Sequence, residues 1–188
     1  MKRNQAVDKP AFVILSGGPS SGKTTLLQAL AAKGYACVPE AARSIIKEQA
    51  ARQGDALPWQ NREAYTQLML ERSESDWIAA QPRTGTVFFD RGVPDALAYA
   101  RLIAMPVTPA MMDFATRCRY HRQVFILPFW EAIYTTDTER KQSIAEARQT
   151  FEVMVQTYSS LGYTIIQVPV GTVAARVRFV LNQLQQQP

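Results

Sequence analysis

Five short apolar runs alternate along the chain with longer segments in which apolar residues recur every three or four positions. The recurrence is typical of amphipathic helices, whereas a short unbroken apolar run is typical of a strand covered on both faces. Because the two patterns alternate throughout, we predict a parallel α/β sheet. The predicted strands span about 11–16, 35–38, 86–89, 123–127 and 164–168, and the predicted helices about 23–33, 41–52, 60–80, 94–104, 108–119, 143–161 and 172–185.

The chain length suits a single domain. Its 188 residues are enough to bury a full core, and we find no internal repeat and no second domain. The polar residues 1–10 are predicted to be a flexible N-terminal lead, and residues 11–188 are predicted to be one domain. In a parallel sheet the ligand binds beyond the carboxyl ends of the strands, so the residues that carry chemistry are expected there.

A glycine-rich loop joins the first predicted strand to the first predicted helix. It fits the pattern G-x-x-x-x-G-K-[ST], the phosphate-binding P-loop, although a glycine turn with a solvated lysine is the alternative. The glycines let successive backbone N–H groups point into one hollow, and the helix adds its positive dipole end. Lys23 can reach the β- and γ-phosphates of a nucleotide, and the Thr24 hydroxyl can ligate Mg²⁺. The predicted nucleotide-binding residues are Gly17, Gly18, Pro19, Ser20, Ser21, Gly22, Lys23, Thr24 and Thr25.

The third predicted strand ends in Asp90, which gives an apolar strand followed by aspartate, the Walker B pattern. This carboxylate is predicted to orient Mg²⁺, directly or through water, and a turn-capping aspartate is the alternative. Arg91 follows at once, and the pair resembles the Asp/Glu-Arg pair of nucleoside and nucleotide kinases. That likeness implies an arginine facing the phosphates or the substrate, whereas a surface ion pair is the other interpretation.

A second charged pair, Glu40 and Arg43, follows the second predicted strand. Spaced three residues apart at a helix start, both side chains can face one cleft. Glu40 could accept a proton from a substrate hydroxyl or bind a pair of sugar hydroxyls. It could equally be a first-turn glutamate that the helix dipole favours.

The polar segment at about 128–142, after the fourth predicted strand, is predicted to be a lid. A mobile segment at this point would bring cations over the phosphates and exclude water. Arg140 is the first candidate for such a cation and Lys141 the second, and a solvated run of charges is the alternative.

Composition excludes several classes of function. The net charge is +5, but the basic residues are scattered, so a nucleic-acid partner is not expected. The two cysteines form no C-x-x-C pair and there is one histidine, which gives no support for a disulfide framework or a zinc site. The chain begins without an apolar signal core, and no apolar run approaches membrane-spanning length, so we predict a cytoplasmic protein.

The motifs together resemble a known family. The P-loop, Pro39-Glu40-Ala41-Ala42-Arg43, the segment Phe88 to Asp95, and Thr136-Asp137 with Arg140 resemble the small AAA-type P-loop domain of predicted bacterial ATPases. That group is similar to the kinase domain of NadR-type ribosylnicotinamide kinases, and the resemblance covers about residues 11–184. It implies a P-loop NTPase fold like that of nucleoside and nucleotide kinases, a three-layer sandwich around a five-stranded parallel sheet in the order 2-3-1-4-5, with ATP and Mg²⁺ as cofactors.

Three functions are compatible with these residues. The favoured one is a kinase that moves the γ-phosphate of ATP to a hydroxyl of an unidentified small, nucleoside-like acceptor, as a monomer or a homodimer. The second is a regulatory NTPase switch that hydrolyses or only binds ATP or GTP. The third, supported only by the basic charge, is a nucleic-acid-dependent ATPase. The predicted catalytic residues are Lys23, Glu40, Asp90, Arg91 and Arg140, with Glu40, Arg43 and Arg91 toward the acceptor and Thr24 and Asp90 toward the metal.

Overall fold

The predicted parallel sheet is present in the computed structural model, which describes residues 9, 11–18, 20–131 and 144–186. The strands are β1 (Phe12–Gly17), β2 (Ala36–Val38), β3 (Val87–Asp90), β4 (Gln123–Leu127) and β5 (Thr164–Gln167). All neighbouring strands are parallel, and their order in the sheet is β2-β3-β1-β4-β5, which confirms the predicted topology.

Seven helices lie in the described part of the chain, and each has bounds within three residues of a predicted helix. They are α1 (Lys23–Ala32), α2 (Ala41–Ala51), α3 (Arg62–Ala80), α4 (Val93–Leu102), α5 (Pro109–Arg117), α6 (Ile144–Ser160) and α7 (Val173–Gln185). The start of α5 shows why the local signals were informative, because the Thr108 hydroxyl accepts from the Met111 N–H and Pro109 takes the first helical position. Within the described residues, no helix combines the length and the apolar character that crossing a membrane requires.

The sheet is the middle of three layers. Successive strand residues point to opposite faces, so Val13 and Leu15 pack into one core cluster with α1 and α7. Phe12 and Ile14 pack into the other cluster with α2 to α6. Both faces of the central strands β1, β3 and β4 are therefore buried, which explains their nearly unbroken apolar runs, whereas the edge strands β2 and β5 are partly exposed.

The buried face of helix α3 is not the set of residues that its sequence pattern groups together. The pattern places Ala64, Leu68, Arg72, Ser75 and Ile78 on a mixed face that is expected to line part of a cleft, and in the structure Ile78 is 54% exposed. The buried face carries larger side chains instead, because aromatic rings remove more apolar surface from water. Its members are Tyr65, Thr66, Met69, Leu70, Trp77 and Ala80.

The strand register places the predicted motifs at one edge of the sheet. Leu15 of β1 lies beside Asp90 of β3, and Gly17 lies beside Leu127 of β4. The carboxyl ends of the three central strands therefore meet where the glycine-rich loop begins, as expected for an open parallel sheet.

Candidate functional site

The glycine-rich loop between β1 and α1 requires glycine at two positions. Gly17 has φ +145°, and a Cβ there would lie 2.6 Å from the carbonyl oxygen of Leu127. Gly22, directly before α1, has φ +78°, in the left-handed region that favours glycine. The fold thus uses both motif glycines to turn the chain from the strand into the helix.

The first turn of α1 gives the loop a positive character. Gly22 has no side chain that could cap the helix, and the first turn contains Lys23, Thr24 and Thr25 without an acidic residue. The first N–H groups of a helix have no intrahelical partner, and the helix dipole places positive charge at this end. An anion such as a phosphate group suits this position.

Lys23 lies between two carboxylates. Its ammonium group forms an ion pair with Asp90, and its Nζ is 4.0 Å from Glu40 Oε2. Both Lys23 and Asp90 are buried. Burial raises the pKa of Asp90, against the opposing effect of Lys23. In this arrangement Lys23 is the cation that a nucleotide phosphate would have to attract away from protein carboxylates.

Glu40, directly before α2, is held by three cations. Arg91 Nε lies 2.8 Å from Glu40 Oε1, and Arg43 Nε lies 3.4 Å from Oε2, in addition to the contact with Lys23. Burial alone would raise the pKa of Glu40, but Lys23, Arg91 and Arg43 outweigh it and lower the pKa to about 2. Glu40 is therefore ionised at neutral pH, and the predicted pairing of Glu40 with Arg43 is observed.

This low pKa predicts how stability depends on pH at Glu40. A carboxyl group with a lowered pKa in the folded state stabilises the fold above its unfolded value of 4.5, and that contribution is lost as the pH falls toward 2. Glu40→Gln should therefore lower the free energy of unfolding by about 2–3 kcal/mol above pH 5, and the difference should shrink between pH 4.5 and pH 2. Urea unfolding across this pH range measures the difference.

The matched control is Glu48→Gln on the same helix. Glu48 is 47% exposed and pairs with Arg72 at 2.7 Å, so its replacement should have a much smaller effect at every pH. The assignment of a low pKa to Glu40 would be contradicted if the free energies of unfolding of wild type and Glu40→Gln differed by a constant amount from pH 7 to pH 2.5.

Arg91 is fixed in a strained backbone conformation between two acids. Its φ is +72°, which is rare for a residue with a side chain, and its N–H donates to Leu15 O at 2.9 Å. The guanidinium bridges Glu40 and Asp95, and Nη1 is 3.4 Å from Asp95 Oδ1. Burial would lower the pKa of Arg91, but Glu40, Asp95 and Asp90 raise it, so the charge is permanent.

Asp95, in the first turn of α4, is a site residue to which sequence reasoning assigned no role. It accepts hydrogen bonds from the hydroxyls of Ser16 and Tyr158 and from the Gly92 N–H at 2.8 Å. With Arg91 it thus ties β1, α4 and α6 together. The one local signal was its position three residues into a helix after a glycine, which is a capping position.

A cleft of about 650 Å³ opens over these groups. Its lining includes the glycine-rich loop and the charged residues Lys23, Glu40 and Arg91. It also includes Tyr65 of α3 and Tyr99 of α4, which meet edge to face with ring centroids 5.5 Å apart. Sequence reasoning expected helices 41–80 and 94–119 to line an acceptor pocket. Helices α2, α3 and α4 line the cleft, α5 does not, and α6 adds Thr150 and Met154, which was not foreseen.

Three sequence interpretations fall wholly or largely outside the described residues. These are the N-terminal lead at residues 1–10, Pro19 of the glycine-rich loop, and most of the predicted lid, including Arg140 and Lys141. At the described edge of that segment, the Arg148 guanidinium lies 5.8 Å from the Phe129 ring centroid, and that of Arg176 lies 5.6 Å from the Trp130 ring centroid. Sequence reasoning named neither cation; Arg148 lies on α6, which follows this segment, and Arg176 lies on α7, farther along the chain.

The two predicted metal ligands are compatible with a magnesium ion that a nucleotide would share. Asp90 is buried beside the loop, and Thr24 is exposed at its end. Within the described residues, no group of three or more His, Cys, Asp or Glu side chains could hold a metal. Magnesium in phosphate-transfer sites is usually held by one or two protein ligands together with phosphates and water, so these two residues suffice.

Several solved structures share this fold. NadR protein in complex with NR matches with a TM-score of 0.71 at 15% identity, over 93% of this chain and 50% of that one. Shikimate kinase from Acinetobacter baumannii in complex with shikimate matches with a TM-score of 0.57 at 14% identity, over 93% of this chain and 92% of that one. Thymidylate kinase from Ehrlichia chaffeensis matches with a TM-score of 0.62 at 14% identity, over 94% of this chain and 99% of that one.

These similarities establish a kinase-like P-loop NTPase fold. The chain spans about half the length of the NadR protein that it matches. No curated protein matches it in sequence. The AAA domain family, however, matches residues 12–176, which is most of the chain and includes every motif at the sheet edge described above. The chain therefore belongs to the AAA domain family.

Proposed function

We propose that this protein is an ATP- and Mg²⁺-dependent kinase that transfers the γ-phosphate to a hydroxyl of a small, nucleoside-like metabolite. The observation that carries the proposal is the composition of the cleft. The glycine-rich loop and a pair of tyrosines both line it, and Glu40 and Arg91 line it with them, with Glu40 in contact with Lys23 and Arg91. Such a cleft can hold a donor and an acceptor in one line, which phosphoryl transfer requires.

The donor half consists of the glycine-rich loop, Lys23, Thr24 and Asp90. Backbone N–H groups of the loop would bind the phosphate oxygens, and Lys23 would leave Asp90 to neutralise the charge on the transferred group. Thr24 and Asp90 would hold Mg²⁺, which when bound neutralises charge between the β- and γ-phosphates. Freed from Lys23, Asp90 is then available to the ion.

The acceptor half consists of Glu40, Arg43 and Arg91. A pKa of about 2 makes Glu40 a weak base but a good hydrogen-bond acceptor, so its role is to bind and orient the acceptor hydroxyl. Phosphoryl transfer passes through a loose transition state and needs little help from a base. Arg91, whose guanidinium already spans Glu40 and Asp95, supplies fixed positive charge beside the migrating group.

The apolar part of the cleft lining supports a ring-bearing acceptor. Tyr65 is 4% exposed, and Tyr99 is half-buried against it. Met69 and Leu102 add apolar surface to the same lining, which Glu40 and Arg91 share. A planar base packs well on such a surface, and its sugar hydroxyls would point back toward Glu40. NadR protein in complex with NR and thymidylate kinase are among the similar structures, which adds support.

An acceptor screen with radiolabelled ATP tests the proposal. Purified protein is incubated with MgATP and single compounds from three groups: nucleosides, the matching free sugars, and shikimate. We expect labelled product with at least one nucleoside and none with its free sugar. No transfer to any compound, together with partner binding that differs between ATP and ADP, would favour the NTPase switch instead.

The acceptor found in the screen provides a residue-level prediction. Tyr99→Ala should raise KM for the acceptor about tenfold or more and leave KM for ATP unchanged, because it removes half of the aromatic pair. Tyr35→Ala is the matched control, since Tyr35 also meets a ring edge to face, that of Phe88, on the opposite face of the sheet. Equal changes in both variants would argue against an aromatic acceptor pocket.

A further inference from the structure

Arg176, in the first turns of α7, is a buried cation behind the glycine-rich loop. It is 3% exposed. Its Nη2 donates to the carbonyl oxygen of Ser21 at 3.0 Å, and its guanidinium lies 5.6 Å from the centroid of the Trp130 ring. One side chain thus joins α7, the glycine-rich loop and the segment that follows β4.

This cation has no carboxylate partner within the described part of the chain. None of the ion pairs found there includes Arg176. Its Nε and the Ser21 hydroxyl are both buried without a hydrogen-bond partner among the described residues. Burial accordingly lowers the pKa of Arg176. Burying a cation without a counter-charge costs free energy, so stabilisation of the fold alone does not explain an arginine at this position.

The contact with Ser21 has a geometric consequence for the loop. A peptide group is planar and trans, so its C=O and N–H point in opposite directions. The Ser21 carbonyl points toward Arg176, and the N–H of the same peptide group, which belongs to Gly22, therefore points away from it. Gly22 lines the cleft. A charged donor on the carbonyl also polarises the peptide group and strengthens its N–H as a donor.

We propose that Arg176 is a positioning residue for nucleotide binding, which fixes the Ser21–Gly22 peptide group so that the Gly22 N–H faces the phosphates. The inference rests on the proposed nucleotide site. Arg176 touches the loop from behind and acts through that peptide group and through its positive field. Stacking on Trp130 holds the guanidinium plane, which preserves the direction of the hydrogen bond to Ser21.

Arg176→Met tests this role, because methionine fills similar volume without charge or donor. Affinity for the ATP analogue AMP-PNP with Mg²⁺ is measured by titration calorimetry, and the thermal midpoint of the nucleotide-free protein by differential scanning fluorimetry. Affinity should fall about tenfold, and the midpoint should stay equal or rise, because a desolvated charge is removed. Arg176→Lys, which keeps a charge and a donor, should restore affinity to within about threefold of wild type.

Arg119→Met is a matched control. Arg119 also donates to a backbone carbonyl, that of Leu161 at 3.1 Å, and its guanidinium lies 4.3 Å from the Tyr163 ring centroid. It precedes β4, at the opposite edge of the sheet from the cleft. Arg119→Met should therefore bind the analogue as wild type does.

Each outcome decides between the alternatives. Wild-type affinity in Arg176→Met with a lowered midpoint means an ordinary structural arginine and overturns the inference alone. A wild type that does not bind AMP-PNP overturns the proposed function together with it. If Arg176→Met fails to fold, Arg176→Gln replaces it, and an affinity of Arg176→Gln equal to that of Arg176→Lys refutes the role of the charge.

Discussion

Lys23→Met is expected to reduce phosphate transfer at least a thousandfold and to leave a folded protein. Lys23 is a buried cation that lines the cleft at the end of the loop, and its replacement removes the charge that would stabilise the migrating phosphoryl group. It also leaves Asp90 buried without its ion-pair partner, so the pKa of Asp90 should rise further. Transfer is measured with labelled ATP and the acceptor from the screen, and folding by circular dichroism.

The control for this variant is Lys33→Met at the end of the same helix. Lys33 is exposed and distant from the cleft, so activity and stability should match wild type. If Lys23→Met unfolds, the double variant with Asp90→Asn should recover stability without activity, because the uncompensated carboxylate is gone. A folded Lys23→Met protein with wild-type transfer would overturn the nucleotide site itself.

Arg91→Met is expected to lower kcat a hundred- to a thousandfold, with a smaller change in KM for either substrate. Fixed cations beside a transferred phosphoryl group act mainly in the transition state, where the charge is redistributed. Arg91 meets this requirement because its strained backbone and its contacts with Glu40 and Asp95 fix the guanidinium before substrate arrives. Arg91→Lys should recover little, since one ammonium group cannot span both acids.

Arg72→Met controls for the loss of an arginine ion pair. Arg72 pairs with Glu48 between α3 and α2, outside the cleft, and is 37% exposed. Steady-state kinetics of both variants with MgATP and the acceptor make the comparison. If Arg91→Met kept wild-type kcat while raising KM for the acceptor, Arg91 would be a substrate-binding residue and not a catalytic one.

Most of the fold followed from local sequence patterns. Strand β4 was predicted at its observed bounds because four apolar residues, Val124 to Leu127, follow Gln123 and end at Pro128, and such an unbroken run suits a buried parallel strand. The pattern within α3 did not predict its buried face, because small and polar residues share the helical repeat and do not show which face meets the core. The buried face includes Tyr65, which contacts α4, and Trp77, which contacts β1. The sequence pattern within α3 contains no information about these contacts.

Site residues that lie in local sequence motifs were predicted, and site residues that meet only in the tertiary structure were not. The glycine-rich loop and Asp90 stand in continuous motifs, and Glu40 and Arg43 share one helix start, so their proximity was predictable. Asp95 accepts hydrogen bonds from hydroxyl groups on β1 and α6, and the Tyr99 ring packs against Tyr65 of another helix. Arg176 reaches the loop across 155 positions of sequence. Such partners meet only through tertiary packing, and a single sequence carries no local trace of them.

The sequence by itself determined the order of strands and helices and the edge where chemistry gathers, since hydrophobic period and motif spacing are properties of neighbouring residues. Only the tertiary structure decided how the charges are paired and what faces the acceptor. It places three cations beside Glu40, two carboxylates beside Lys23, and two tyrosines together in the lining of the cleft. These arrangements depend on distances between elements remote in the chain, and such distances are fixed when the helices pack on the sheet.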